Sequence, residues 1–300
     1  MTTDQPHAAT THFADRLADA LDRVGAPACV GLDPVLERLP ASIRAQRSSD
    51  ADKIGEFCLG VIDAVAPHVA VVKPQSACFE RYGAEGIRVL HATIAHARSR
   101  GMLVVLDAKR GDIGVTAEHY AHAAFADAPH AADALTINGY LGPDTVEPFL
   151  THPGRGVFVL VRTSNPGSDA VQAQRLADGR TVSHLLADMV AALGRARRGR
   201  SGLSDVGAVV GATKAAEGAE LRARMRDQVF LVPGYGAQGG TLADVRILIR
   251  PGARTPGESG VLVTASRSVI YAFDPAADDW TASVGAAAAG FARELAQLHR

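Results

Sequence analysis

The sequence predicts an α/β fold in which eight strands and the helices between them close into a (β/α)8 barrel, preceded by an extra helix. Three observations support it: eight short apolar runs, segments of helical spacing between them, and no linker dividing the 300 residues. A doubly wound open sheet is the second possibility, because such sheets usually have fewer strands. We therefore expect one barrel domain over residues 1–300, with its core at about 28–272.

The predicted strands are almost continuously apolar rather than strictly alternating between apolar and polar residues. Strands of this kind are buried on both faces, as in a parallel sheet covered by helices. In chain order they are 28–32, 69–72, 103–106, 134–137, 157–161, 208–210, 229–232 and 261–263.

The segments between the strands are rich in alanine and place apolar residues three or four positions apart, which is the spacing of one buried helix face. Ile87, Leu90, Ile94 and Ala97 fit such a face. The predicted helices lie at about 12–24 before the first strand, around 54–62, around 87–97, and at about 115–127, 181–197, 215–226, 241–249 and 282–299.

Three polar segments need separate interpretation. The long segment 165–180 follows the fifth strand, where barrel loops cover the functional face, so it is a candidate for a lid. The glycine- and proline-rich segment 250–260 is expected to be a loop before the eighth strand. The arginine cluster at 195–200 is expected to end a helix at a solvated surface rather than to bind RNA.

The composition argues against several classes of protein. A hydrophobic fraction of 47% is ample for a large core, and a net charge of −1 argues against a general nucleic-acid-binding protein. No apolar run approaches the ~18 residues of a membrane span, and residues 1–11 lack the apolar core of a signal peptide. Cys29, Cys58 and Cys78 are widely spaced, as is typical of a reducing compartment. We expect a cytoplasmic protein that binds neither nucleic acid nor membrane.

The third predicted strand and the turn after it are the most informative part of the chain. A buried apolar run stops at three charged residues, Asp107, Lys109 and Asp112. Asp107 and Lys109 are two positions apart and therefore share one strand face. Gly111 and Gly114 permit a tight turn, which we expect to bring Asp112 near them. Such charges are costly unless they pair, so they form either a structural ion pair or an active site, and their position at a strand end favours an active site.

Polar side chains also follow most of the other predicted strands. In a barrel, the carboxyl ends of all strands build one site, so these side chains are candidates for a shared cavity. They are Asp33, Lys73, Gln75, Thr136, Asn138, Ser164, Gln238, Ser266 and Arg267.

The last two strand ends predict a phosphate site. The glycine-rich loop 234–240 leads into a predicted helix, so its backbone N–H groups can face an anion. Arg267 adds a guanidinium group from the neighbouring strand. Phosphate sites in barrels often use the loops after the seventh and eighth strands.

A metal site is less well supported. His119 and His122 lie three positions apart on a predicted helix, and Asp107 and Asp112 could chelate Mg²⁺. A zinc site would need a third ligand, which the sequence does not offer at a suitable spacing. Lys109 lies between the two aspartates and would oppose a cation, so direct charge pairing is favoured and no metal is expected.

These motifs together resemble the orotidine 5′-phosphate decarboxylase family. The third-strand signature is Asp107-Ala108-Lys109-Arg110-Gly111-Asp112-Ile113-Gly114-Val115-Thr116. The other matching blocks are Gly31-Leu32-Asp33-Pro34, Lys73-Pro74, Ser164 with Pro166-Gly167, residues 233–240 and Ser266-Arg267. The chain is similar to the longer, bacterial branch, and the resemblance covers about residues 28–272. Arg162 and Thr163 stand where that family often has Glu-Met before the serine.

The resemblance implies conversion of orotidine 5′-phosphate to UMP and CO₂, the last step of pyrimidine nucleotide synthesis, without metal or cofactor. It implies a charged network around pyrimidine C6, formed by Lys73, Asp107, Lys109 and Asp112. It further implies that Asp33 and Thr116 contact the ribose and that Ser164 contacts the pyrimidine edge. Gln238 and Arg267 would hold the phosphate, and Ser266 is expected to bind the substrate beside them. Finally, it implies a homodimer in which Asp112 and Thr116 enter the neighbouring subunit's site.

Two other functions stay open. A Mg²⁺-dependent phosphosugar aldolase or synthase, such as a hexulose-phosphate synthase, shares the Asp-x-Lys-x-x-Asp barrel motif. Sensitivity to EDTA would identify it. A non-catalytic nucleotide-binding barrel would bind UMP without turnover, and the presence of Lys109 argues against it.

Overall fold

Eight parallel strands form a closed barrel in which each strand pairs with the next and the eighth pairs with the first. This computed structural model describes residues 12–299. The predicted (β/α)8 barrel is therefore confirmed. The strands are β1 Ala28–Leu32, β2 Val71–Pro74, β3 Leu103–Arg110, β4 Ala134–Ile137, β5 Gly156–Arg162, β6 Ser204–Val210, β7 Gln228–Val232 and β8 Val261–Ala265.

Helices precede the barrel and connect its strands, and every predicted helix is present. One predicted face is wrong in a detail: Ile87 is 36% exposed, and Val89 is buried beside Leu90 and Ile94 instead. The helices are α1 Phe13–Val24, α2 Ala41–Arg44, α3 Asp50–Val65, α4 Ala77–Glu80, α5 Gly83–Ser99, α6 Gly114–Phe125, α7 Asp169–Gln172, α8 Val182–Gly194, α9 Ala215–Arg224, α10 Leu242–Leu248, α11 Arg267–Ile270 and α12 Trp280–Leu295.

Strand boundaries differ from the prediction where main-chain hydrogen bonds, rather than apolar character, decide them. Strand β2 starts at Val71, because the Val69 amide donates to the Val65 carbonyl and so continues the end of α3. Strand β3 continues beyond the predicted residue 106 to Arg110. Strand β6 starts at Ser204, whose amide donates to the Asp227 carbonyl at 2.7 Å.

The extra helix α1 closes the amino end of the barrel. Phe13 and Leu17 pack with the side chains that fill the barrel interior, and the Phe13 ring meets Phe158 edge-on at 6.1 Å between centroids. Gly156 permits this approach, because a Cβ there would lie 2.2 Å from a Phe13 ring carbon. The opposite, carboxyl end of the strands is left for the loops that carry the polar side chains.

The polar segments show more local structure than the sequence predicted. Segment 165–180 contains a 3₁₀ turn at Pro166–Ser168 and the short helix α7. In the cluster 195–200, arginines pair with carboxylates: Arg197 with Asp205 at 2.8 Å, and Arg200 with an aspartate of α1. These ion pairs agree with a structural role for the cluster at the surface.

Some expectations reach beyond the described range. The absence of a signal peptide in residues 1–11 concerns residues outside the described part of the chain, and the extent of one domain over 1–300 stays a prediction. Within residues 12–299, no helix combines the length and apolar character needed to span a membrane.

Candidate active site

A cavity of about 490 Å³ lies at the carboxyl ends of the strands. Its position follows from the parallel barrel, because every strand delivers the residues after its last apolar position to the same end. Eight of the ten predicted site residues line it: Asp33, Lys73, Asp107, Lys109, Ser164, Gln238, Ser266 and Arg267.

Asp107 is the centre of a hydrogen-bonded charge network in the cavity wall. Its Oδ2 accepts from Lys73 Nζ at 2.8 Å and from Gln75 Nε2 at 3.1 Å. Its Oδ1 accepts from Lys109 Nζ at 2.6 Å and from Thr136 Oγ1 at 2.8 Å. The predicted pairing of Asp107 with Lys109 is present, and β2, β3 and β4 all contribute to it.

Burial and charge act in opposite directions on this network. Burial alone would raise the pKa of Asp107, but the ammonium groups of Lys73 and Lys109 lower it well below its usual range. Burial alone would lower the pKa of Lys73, but the carboxylates of Asp107 and Asp33 raise it above its ordinary value. Both groups are therefore ionised at neutral pH, since opposite charges at short distance favour the charged forms.

Lys109 differs from Lys73 in exposure and in backbone conformation. The Lys109 side chain is 46% exposed, against 8% for Lys73, so its ammonium faces the open cavity. Lys109 has φ +48° and is the one non-glycine residue within 12–299 with a positive φ. Residues held in this region are strained, and such strain is concentrated at functional sites.

Asp33 brings a hydrogen-bond acceptor to the cavity. It follows β1 and lines the cavity, and its Oδ1 is buried without a hydrogen-bond partner among the described residues. A buried carboxylate oxygen without a donor is costly, so this atom is suited to accept a hydrogen bond from a bound ligand.

A positively charged residue, Arg267, lies at the part of the cavity formed by the end of β8. Arg267 begins α11 at the end of β8, is exposed, and makes no ion pair among residues 12–299. Ser266 lies directly before it, and Gly31 permits this arrangement, because a Cβ there would lie 2.0 Å from Ser266 Oγ. An unpaired guanidinium at the mouth of a cavity is suited to an anion.

The loop 234–240 is held together by its own main-chain hydrogen bonds. The amides of Gly236, Gly239 and Gly240 donate to carbonyls within the loop. The start of α10 is capped by the side chains of Thr241 and Asp244. The start of α10 is therefore already capped, whereas Gly234, Tyr235, Ala237 and Gln238 of the loop line the cavity. The phosphate site at this loop stays a prediction.

The segment after β5 forms a third wall, and its anchor was missed by the sequence reasoning. Arg162 is only 2% exposed, and its guanidinium pairs with Glu217 at 2.7 Å and with Asp169 at 2.6 Å. The Gln172 side chain bonds the main-chain N–H and hydroxyl of Thr163 at 2.8 Å each. These contacts hold the segment that brings Thr163, Ser164, Asn165 and Gln172 to the cavity.

Other side chains were noted as strand ends without an assigned role. Gln75 and Thr136 line the cavity and bond Asp107. Asn138 does not line the cavity, and its Oδ1 accepts from the Tyr140 amide instead. Polar character at a strand end was the available signal, but hydrogen-bond partners could not be read from it.

Asp112 and Thr116 do not join the cavity of their own subunit. The Asp112 carboxylate accepts from the Ile113 amide and makes no ion pair with Lys109, so the expectation that the turn brings it near Lys109 is wrong. Strand β3 runs on to Arg110, and Asp112 lies two positions beyond its end and does not line the cavity. Thr116 is exposed on the first turn of α6.

Exposed apolar side chains lie beside these two residues in sequence and after the neighbouring strand β4. The turn after β3 lies beside the one after β4, because a Cβ on Gly111 would be 3.0 Å from the Asn138 carbonyl oxygen. The patch consists of Ile113 at 63% exposure, Val115 at 64%, Tyr140 at 77% and Leu141 at 49%. Apolar surface of this kind marks interaction sites.

Metal ligands and a buried cysteine are two other candidate sites. Among residues 12–299, no three histidine, cysteine or carboxylate side chains are grouped as metal ligands would be. Cys29 is buried, and burial raises the pKa of its thiol to about 12, so this thiol is protonated rather than nucleophilic at neutral pH.

Comparison with known proteins gives a consistent result. Residues 27–278 match the family described as "Orotidine 5′-phosphate decarboxylase / HUMPS family". An orotidine 5′-phosphate decarboxylase of Rhodopirellula baltica is 42% identical over 295 residues, covering 92% of this chain and 96% of the relative. One of Roseiflexus castenholzii is 40% identical and covers 95% and 96%. The structure of Leishmania donovani OMP decarboxylase has a TM-score of 0.75 at 33% identity, covering 96% of this chain and 99% of the other.

Proposed function

Because the chain belongs to the orotidine 5′-phosphate decarboxylase / HUMPS family, we propose that it is a carboxy-lyase that converts orotidine 5′-phosphate to UMP and CO₂. One observation carries this proposal most directly. The half-exposed ammonium of Lys109 is bonded to the buried Asp107–Lys73 pair, beside a cavity whose far end carries the unpaired Arg267.

The residue types suit this reaction. When the bond between C6 and the carboxylate breaks, CO₂ leaves and the electron pair stays on C6, where the ring offers no electron sink. A fixed ammonium beside C6 stabilises this charge electrostatically. Lys109 Nζ then gives a proton to C6, which yields UMP and a neutral amine that is reprotonated from solvent.

The supporting residues hold that ammonium in place. Asp107 accepts a hydrogen bond from Lys109 Nζ at 2.6 Å, and Lys73 helps to keep Asp107 ionised. Decarboxylations that are very slow without an enzyme need a lowering of the barrier on the order of 20 kcal/mol. One ammonium cannot supply this alone, so binding of the remote parts of the substrate must contribute to closure and orientation.

The remaining cavity residues fit those remote parts. We assign the ribose to Asp33, whose buried Oδ1 is available to a sugar hydroxyl. Ser164 lies on the wall held by Arg162 and is assigned to the pyrimidine edge. The phosphate is assigned to Gln238, Ser266 and Arg267 at the end formed by β7 and β8.

We further propose that the active protein is a homodimer with shared sites. Asp112 and Thr116 lie outside their own cavity, next to the apolar patch of Ile113, Val115, Tyr140 and Leu141. A second copy covering this patch would bury it and bring both residues to the neighbouring cavity. An isologous contact of this kind gives a closed two-fold dimer with two equal sites.

We propose that the reaction needs no metal and no organic cofactor and takes place in the cytoplasm. The Asp107 carboxylate, a natural Mg²⁺ ligand, already accepts four hydrogen bonds, two of them from ammonium groups. A cation would have to displace one of these donors. This argues against a Mg²⁺-dependent phosphosugar synthase as the alternative function.

The test is the loss of orotidine 5′-phosphate absorbance on addition of EDTA-treated protein, with UMP identified as the product. We expect turnover by the wild-type protein and none by Lys109→Ala, which should stay folded and bind UMP. Activity restored only by Mg²⁺, with phosphosugars as substrates, would support the synthase instead. UMP binding without turnover by the wild type would support a non-catalytic barrel.

A further inference from the structure

Thr136 joins the main chain of Lys109 to the side chain of Asp107. It lies on β4, is 1% exposed, and its Oγ1 accepts from the Lys109 amide at 3.0 Å. The same hydroxyl donates to Asp107 Oδ1 at 2.8 Å. An amide can only donate, so the hydroxyl must accept there, and its own hydrogen is left for the carboxylate. We propose that Thr136 is a positioning residue for the Lys109 ammonium, an inference that rests on the proposed decarboxylation.

The first part of this role concerns the backbone. The pairing of β3 with β4 shifts its register between Leu106 and Arg110, so Lys109 lies where the regular ladder is interrupted. Its N–H donates to the Thr136 side chain in place of a β4 carbonyl. A left-handed conformation costs roughly 1–2 kcal/mol for a residue with a Cβ. The threonine hydroxyl is the partner that lets Lys109 hold this conformation without an unpaired amide.

The second part concerns the carboxylate. Asp107 Oδ1 has two partners, the ammonium of Lys109 and the hydroxyl of Thr136. The Lys109 amide, Thr136 Oγ1, Asp107 Oδ1 and Lys109 Nζ therefore form a closed ring of hydrogen bonds that passes through the lysine itself. This ring fixes both the main-chain amide and the ammonium of Lys109 relative to the Asp107 carboxylate. Without the hydroxyl, the amide loses its partner and the carboxylate is free to turn.

This arrangement separates Thr136 from the binding residues. Its hydroxyl is engaged by Lys109 and Asp107, and it makes no hydrogen bond with the residues assigned to the phosphate, Gln238 and Arg267. Loss of the hydroxyl should therefore misplace the proton donor while leaving substrate affinity almost unchanged. Misplacement by about 1 Å can cost on the order of 100-fold in rate.

The experiment compares Thr136→Val and Thr136→Ser with the wild type. Valine keeps the shape and removes the hydroxyl, so we expect kcat to fall about 30-fold or more, with KM for orotidine 5′-phosphate and Kd for UMP changed less than threefold. Serine keeps the hydroxyl and should restore kcat to within about threefold of the wild type. Thr93→Val is the control for loss of a buried hydroxyl elsewhere, since among residues 12–299 the Thr93 hydroxyl bonds only the Val89 carbonyl in α5.

The outcomes are distinguishable. A Thr136→Val protein with wild-type kcat but a lowered Tm, like Thr93→Val, would overturn the proposal. If Thr136→Val does not fold, Thr136→Ala is measured in its place with the same criteria. If the wild type itself shows no decarboxylation, the proposed function fails. A crystal structure of Thr136→Val then tests the positioning role separately. Lys109 leaving the left-handed region would then support the positioning role, and an unchanged Lys109 and Asp107 would overturn it.

Discussion

Asp107 is nearly buried and yet ionised, because two ammonium groups outweigh the cost of its burial. The sign of its effect on stability follows from this. An unfolded aspartate has a pKa of about 3.9, and the folded one lies lower, so stabilisation is complete above about pH 5 and is lost as the pH falls. The raised pKa of Lys73 stabilises the folded protein at all lower pH values, and this contribution to the free energy of unfolding is lost only above about pH 10.

Asp107→Asn should therefore be most costly near neutral pH. We expect the free energy of unfolding to fall by about 3 kcal/mol at pH 6, because Lys73 is left buried without its partner. The difference from the wild type should narrow by roughly 0.7 kcal/mol at pH 3.5, where the unfolded aspartate takes up a proton. Urea unfolding at both pH values measures this difference in the free energy of unfolding. Glu118→Gln is the control, because Glu118 is an exposed carboxylate. A difference independent of pH would mean that Asp107 is not held ionised in the folded protein.

Arg267 tests the assignment of the phosphate. Arg267→Ala should lower kcat/KM for orotidine 5′-phosphate by about 10- to 100-fold, the value of one or two hydrogen bonds to a charged group. For orotidine without its phosphate, kcat/KM should change less than twofold. Arg226→Ala is the matched control, since Arg226 is an exposed arginine that precedes β7 at the other end of the barrel. Equal losses on both substrates would place the phosphate elsewhere.

At the scale of one element, the segment after β5 depends on a single buried arginine. Arg162 links the end of β5 to Ser168 and Asp169 of the following turn and to Glu217 of α9. The family resemblance assigned no role to Arg162, which stands with Thr163 where the family often has Glu-Met. Its place in the fold explains it: a buried cation between two carboxylates fixes the wall that carries Ser164.

Arg162→Met should loosen that wall. We expect faster tryptic cleavage at Arg175 and a Kd for UMP raised about tenfold, which corresponds to about 1.4 kcal/mol. Arg180→Met is the control, because Arg180 belongs to the same segment but pairs with Asp178 and Asp188 at the surface. Unchanged affinity for UMP together with faster cleavage would show that the segment does not contribute to binding.

At the scale of the whole molecule, the proposed dimer makes each site depend on two subunits. Lys109 lines its own cavity, whereas Asp112 does not. Lys109→Ala and Asp112→Ala should each give an almost inactive homodimer. In a mixed dimer, one site carries both defects and the other carries neither.

Refolding an equimolar mixture of the two variants tests this arrangement. About half the dimers should be mixed, and activity should return to roughly a quarter of the wild-type value. A refolded wild-type sample is the control for recovery. If the mixture stays inactive while tagged hybrids are found by size exclusion, Asp112 acts within its own subunit. If no hybrids form, the subunits do not exchange.

The sequence alone determined the barrel and most of the candidate site. Continuous apolar runs mark strands buried on both faces, and the residue after each run must lie at the carboxyl end of a parallel barrel. Asp107, Lys109 and Arg267 could therefore be found without coordinates. These positions follow from local periodicity, which a single chain displays directly.

Only the tertiary structure decided how these residues are connected. Asp107 meets Lys73 and Thr136 across 34 and 29 positions of sequence, and no periodicity encodes such hydrogen bonds. The left-handed backbone of Lys109, the capped start of α10 and the outward position of Asp112 also depend on where strands end and which neighbours they meet. Apolar spacing decides which strands form, whereas closure of the barrel decides which side chains meet.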